Sequence, residues 1–192
     1  VIADFDQRRD MIKQMVLDTA AAIESAAIID DDLLDEVTAL VEWPVPVCGE
    51  FEERFLDVPQ EALISSMQDH QKYFPIIDKN GSLKPNFITI ANIHSTNPES
   101  IKTGNERVIR PRLADADFFW NQDKKRPLAD RIEPLKSVVF QKQLGTIYDK
   151  VARTAELGKS IAQTLNIDPE LVERTAFLAK CDLMTDMVGG FP

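Results

Sequence analysis

The chain reads as α+β, mostly helical, with a small antiparallel sheet in a central domain. Three observations lead there. Apolar residues recur at helical spacing through the first 43 residues and again after residue 145, whereas two β-like runs, "KYFPIID" and "PNFITIANI", lie close together in the middle. The turn residues "KNG" separate the two runs, as an antiparallel hairpin requires. Prolines at positions 44 and 46 mark off the helical arm that precedes them.

The elements follow in order. From Asp4, "DFDQRRDMIKQMVLDTAAAIES" places Phe5, Ile12, Met15, Val16, Ala20 and Ile23 at mostly helical intervals. A second helix follows Asp30 to Asp32, which supply a cap and negative charge at the positive helix end. Its apolar stripe is Leu33, Leu34, Val37, Leu40 and Val41. "EWPVPVCGEF" ends this helical stretch, and "PQEALISSMQDH" reads as a short helix with Pro59 near its start. Pro75 has no amide to donate, so its strand is expected at an edge or a bulge.

Residues 98–123 return to helix. Gly104 and Pro111 predict a start near Asn97, a bend, and a restart around Pro111. "LGTIYDKVARTAELGKSIAQTL" is helical, and Asp168 with Pro169 opens a last helix expected to run to Gly189 and Gly190. The domains expected are 1–43, a helical arm; 44–144, a central α+β domain; and 145–192, a further helical segment.

A chain of 192 residues can bury a sizeable core, and its 44% hydrophobic and 28% charged residues are those of an ordinary globular protein. No apolar run approaches the roughly 20 residues of a membrane span, and no secretory signal opens the sequence. Cys48 and Cys181 lie far apart and outside any CxxC spacing, which argues against a zinc site or disulfide framework and for a reducing, cytoplasmic setting. His70 and His94 are the only histidines. A catalytic His70 would need partners that the sequence does not identify, and no His-Asp dipeptide of the metal phosphohydrolase type occurs. There is neither a GxGxxG nor a GxxxxGK[ST] loop, so no nucleotide-binding or catalytic constellation, cofactor or metal is expected.

The net charge of −10 argues against a nucleic-acid binder, but the charge is unevenly spread. Residues 1–70 carry 17 acidic and 4 basic side chains, whereas residues 71–140 carry 12 basic and 8 acidic ones. That basic third contains "GNERVIRPRLADADFFWNQDKK". Lys102, Arg107, Arg110 and Arg112 are its candidate phosphate ligands, because guanidinium forks suit phosphate oxygens and an arginine before proline is held extended. Such contacts would position a backbone without reading bases. The other reading is structural, with the arginines paired to Glu106, Asp115 and Asp117, Arg112 and Asp115 being i, i+3 neighbours on a helix. Phe118, Phe119 and Trp120 read as core or interface anchors, with base stacking the alternative.

Several long strings, "VEWPVPVCGEFEERFLDVPQEALISSMQDHQKYFPIID", "NFITIANI", "GNERVIRPRLADADFFWNQDKK", "FQKQLGTIYDK" and "AKCDLMTDMVGGFP", closely resemble the β subunit family of bacterial glycyl-tRNA synthetase (glycine–tRNA ligase). The resemblance runs in order along essentially the whole chain. It implies a fragment of a longer β subunit, in which the helices from residue 145 begin an HD-like domain and an anticodon-binding domain lies further on. It also implies a cytoplasmic heterotetramer of two α and two β subunits, with no membrane or DNA partner. There the α subunit uses ATP with magnesium to attach glycine to its tRNA, and the β subunit binds tRNA and scaffolds the assembly. On that reading this chain alone is inactive. Two rivals remain: a subunit-interaction module without RNA contact, and an HD-type phosphohydrolase.

Overall fold

The computed structural model describes residues 1–191, and they fold as an α+β protein. Two compact units divide within one helix, the first spanning Val1–Asp117 and the second beginning at Phe118.

The first unit opens with α1 (Phe5–Ala21), whose N-cap Asp4 accepts from the Gln7 amide. After the two-residue strand β1 (Ala26–Ala27) comes α2 (Asp31–Leu40), capped in the same way by Asp30 on the Leu33 amide. Strand β2 (Val45–Glu50) follows, then α3 (Gln60–Ser65), continued by a π-helical turn at Ser66–His70. Strands β3 (Phe74–Ile77) and β4 (Leu83–Ala91) form the expected hairpin, and the sheet order is β1-β3-β4-β2, antiparallel throughout.

Ile12, Val16 and Ala20 of α1 and Leu33, Leu34 and Val37 of α2 pack on Phe74, Ile76, Ile88 and Ile90 of the sheet. Each large aliphatic buried this way contributes about 1.5–3 kcal/mol. Phe87, the neighbour of Ile88, is also fully buried, so β4 is covered on both faces. Its ring stacks on Tyr73 at 4.5 Å between centroids, and Tyr73 donates its hydroxyl hydrogen to Asn105.

Pro75 does sit at a bulge, for the β3–β4 register shifts between Pro75 and Ile77. Yet β3 is an inner strand, because the short β1 flanks it and the Pro75 carbonyl accepts from Ile28. The edges are the short β1 and β2, the latter hidden by its prolines: Pro46 pairs with Ile90 at an edge position where the missing amide leaves no ladder bond broken inside the sheet.

Helix α4 (Pro98–Asp123) runs unbroken through Gly104 and Pro111, so the expected restart around Pro111 does not occur. Proline removes one hydrogen bond, the one to the Arg107 carbonyl, and Arg107 and Pro111 are both exposed, so water can satisfy that carbonyl. Ile109, Leu113 and Ala116 anchor the opposite, buried face.

In the second unit, 3-10 turns at Leu128–Arg131 and Glu133–Ser137 lead into a two-stranded sheet, β5 (Val139–Gln141) with β6 (Gly145–Thr146). Thr146 then caps α5 (Ile147–Thr164) in a reciprocal capping box with Asp149. Asp168 caps α6 (Pro169–Leu178), as expected. Leu135, Val151 and Cys181 form the centre of this unit's core, with Ile132, Ile147, Tyr148, Phe177, Leu178 and Met184 packed around them.

The single last helix is a further correction. A 3-10 turn at Cys181–Met184 interrupts it, Thr185 caps α7 (Asp186–Gly190), and both glycines lie inside that last turn rather than beyond it. The interruption is held by tertiary bonds. Asp123 accepts from the amides of Asp186 and Met187, and Arg131 donates to the Met184 carbonyl. Leu157, Ile161, Leu165, Ile167 and Leu171 remain exposed on α5, α6 and the turn between them.

Candidate nucleic-acid interface

Helix α4 carries all four candidate phosphate ligands, but it does not present them alike. Lys102 lies on the side that meets β2, with its ammonium 3.7 Å from Glu50 and 3.6 Å from Glu106. Those carboxylates, Glu50 first and Glu106 second, raise its pKa further. Glu106 also accepts from the Glu50 amide at 3.0 Å, closing the edge of β2. Arg110 is 60% exposed, yet its Nε sits 2.9 Å from a Glu52 carboxylate oxygen. It adopts the helical conformation of α4, not the extended one expected before Pro111.

Arg107 and Arg112 differ from these two. Both are exposed, and neither forms an ion pair among the described residues; the i, i+3 contact of Arg112 with Asp115 does not form. At about 100° per residue they point about 140° apart, Arg107 directly away from the Ile109–Leu113–Ala116 stripe and Arg112 to one side of it. The four cations therefore make no single positive surface. Two are neutralised by glutamates from β2, α4 and the following loop, and two are free to meet an outside anion.

The aromatic triplet beyond them is divided as well. Phe118 is 56% exposed, which departs from its reading as a core anchor. Phe119 contacts Phe118 edge-on at 5.8 Å and Phe191 at 6.2 Å. Trp120 lies under the Lys124 ammonium, 5.2 Å from the ring centroid. Asp123 and Arg131, which sequence spacing did not single out, form the most buried ion pair of the chain's described residues. The backbone groups that complete the pair, at Met184, Asp186 and Met187, lie more than 50 residues further on, beyond the reach of sequence spacing.

His70 is exposed at the end of the π-helical turn, and His94 lines an apolar groove of about 400 Å³ with Met11, Met15, Trp43 and Pro44. Among the described residues no three His, Cys, Asp or Glu side chains gather as a metal set. No helix among them is long and apolar enough to cross a membrane.

Helix α4 thus holds two exposed, unneutralised arginines on an acidic chain. Comparison with known proteins gives the class: the chain belongs to the family of the glycyl-tRNA synthetase beta subunit, whose sequence profile matches residues 1–192. It is 55% identical over all 192 residues to the glycine--tRNA ligase beta subunit of Pseudomonas aeruginosa (strain LESB58), covering 28% of that protein. The corresponding subunit of Marinobacter nauticus is 57% identical over 191 residues, 98% of this chain and 27% of that one. The Azotobacter vinelandii subunit is 55% identical over the whole chain. The chain thus spans somewhat more than a quarter of the length of the curated relatives it matches.

Proposed function

We propose that the chain is the tRNA-binding and scaffolding part of a glycine–tRNA ligase β subunit, which serves the ATP-dependent attachment of glycine to its tRNA. Family membership supports the subunit assignment. The observation that carries the RNA reading is the pair of exposed arginines on α4, Arg107 and Arg112, with no carboxylate holding either. Guanidinium groups left free on an otherwise acidic protein are suited to backbone phosphates. ATP and magnesium act on the α subunit in this reading, in a cytoplasmic assembly of two α and two β subunits. The helices from residue 145 begin an HD-like domain, and no residue of this chain is catalytic.

Lys102 and Arg110 favour a second, structural role. Each is bound to glutamates beside β2, so they fasten α4 to the sheet. A titration of the chain with glycine tRNA and, separately, with α subunit tests both parts. Salt-sensitive binding of tRNA is expected. Binding to α subunit alone, with none to tRNA, would leave only the subunit-interaction reading.

A further inference from the structure

The string "FQKQLGTIYDK" is left without a role by the reading above. It forms the β5–β6 hairpin and the first turn of α5. The hairpin is unusual for its exposure: every residue of β5 and of the loop 142–144 is exposed, with Val139 at 71% and Leu144 at 53%. Phe140 is 39% exposed, and the Lys150 ammonium lies over its ring, 4.4 Å from the centroid. Arg153 reaches back from α5 and donates one Nη hydrogen to the Leu144 carbonyl at 3.1 Å.

Charge sets this surface apart. Residues 124–153 carry eight basic and three acidic side chains in a protein of net charge −10. Among the described residues Lys142, Lys150 and Arg153 form no ion pair. The carboxylates nearby are already committed. Asp149 accepts from the Thr146 amide at 2.8 Å and from its hydroxyl at 2.9 Å, and Glu133 is paired with Lys136 at 2.7 Å.

The hairpin is also preformed. Gly145 has φ +87°, and a Cβ there would meet the Asp149 carboxylate at 2.3 Å. The glycine thus fixes a tight turn against the α5 capping box, so the aromatic and the cations hold their positions before any partner arrives.

We propose that the β5–β6 hairpin and the first half of α5 form a contact surface for single-stranded RNA, with Phe140 stacking on an unpaired base and Lys142, Lys150 and Arg153 holding the flanking phosphates. It rests on the tRNA-binding reading but uses a site separate from the α4 arginines. Stacking on an aromatic side chain beside unneutralised cations is how single strands are bound without sequence reading. Bases inside a duplex are not available to such a ring, so the partner segment is an unpaired loop or end. A protein partner fits less well, since interface cores are depleted of unpaired charge and strands of three and two residues offer little edge for β-addition.

The test uses the complete enzyme of α and β subunits, with glycine tRNA and a uridine dodecamer as probes. Phe140→Ala should weaken dodecamer binding about 5-fold or more, the range of losing one stacked base, whereas Phe140→Tyr should bind as the parent does. The double change Lys142→Ala, Lys150→Ala should reduce the log–log salt slope by about 1.4, at about 0.7 for each single-strand phosphate contact. Unchanged affinity and slope in these variants, alongside weakened tRNA binding by Arg107→Ala, would overturn the hairpin site and leave the tRNA reading standing. Failure of the parent enzyme to bind tRNA at all would remove both. A photoreactive residue in place of exposed Val139 supplies a readout that tolerates no misfolding artefact. Crosslinks to RNA are expected, and crosslinks to protein chains alone would overturn the proposal.

Discussion

Asp123 and Arg131 form an ion pair at 2.6 Å with both side chains about nine-tenths buried. The pair also organises backbone, because Asp123 accepts two α7 amides and Arg131 donates to the Met184 carbonyl. Removing one partner of a buried pair costs about 3–5 kcal/mol, since the other charge stays buried and unpaired. Asp123→Ala is expected at the upper end of that range, because the Asp186 and Met187 amides lose their acceptor too. Arg131→Met should cost less. Urea denaturation followed by circular dichroism measures both, and a loss below about 1 kcal/mol for Asp123→Ala would contradict the structural role assigned to the pair.

Gly49 faces the Phe87 ring across the β2–β4 ladder. A Cβ at that position would lie 2.4 Å from the nearest ring atom, and Phe87 is fully buried with Tyr73 stacked on it, so the ring has little room to retreat. Gly49→Ala is expected to destabilise by about 1–3 kcal/mol, the usual cost of overpacking. Adding Phe87→Leu should recover part of the loss caused by Gly49→Ala. Additive losses in the double variant, measured by thermal unfolding, would count against a clash as the cause.

Tyr73 links stability to alkaline pH. Burial pushes its phenol up to about 12 from the ordinary value near 10, because the phenolate would lose its hydration. The folded pKa lies above the unfolded one, so the contribution is fully present below about pH 10 and is lost as pH rises towards 12. Two units correspond to about 2–3 kcal/mol. Tyr73→Phe loses the hydrogen bond to Asn105 at neutral pH but should show a shallower fall in stability between pH 10 and 12 than the parent. Parallel curves for the two proteins would show that Tyr73 is not the linked group.

The local features of this fold were legible in the sequence because caps and periodicity act within a turn or two. Asp30 and Asp168 each cap the helix they were expected to cap. Strand β2 was not legible, since Pro44 and Pro46 suppress a strand signal and only the sheet order reveals an edge that tolerates them. The same limit hid the start of α7, where Asp123 supplies an acceptor from 63 residues away. At the candidate site, sequence could name the cations of α4 but not their partners. Glu50 and Glu52, which hold Lys102 and Arg110, are brought beside α4 only by the sheet.

That division among the α4 cations gives the most discriminating experiment on tRNA binding. In the complete enzyme, Arg107→Ala and Arg112→Ala are expected to weaken binding of glycine tRNA and to lower its log–log salt slope by roughly 0.7 to 0.9 for each contact removed. Their exposure and lack of ion pairs predict little change in thermal stability. Lys102→Ala should act the other way, because it leaves Glu50 and Glu106 facing each other at the β2 edge without their shared cation. Its melting temperature should fall while the salt slope stays near that of the parent. Arg110→Ala falls between, for its guanidinium is largely exposed and an exposed pair such as that with Glu52 contributes at most about 1 kcal/mol. Glycine activation should be preserved in all four, since none lies in a catalytic centre on this reading. If Arg107→Ala and Arg112→Ala left affinity and slope unchanged while Lys102→Ala flattened the slope, the phosphate contacts would lie on the sheet side of α4 and the assignment of roles would be reversed.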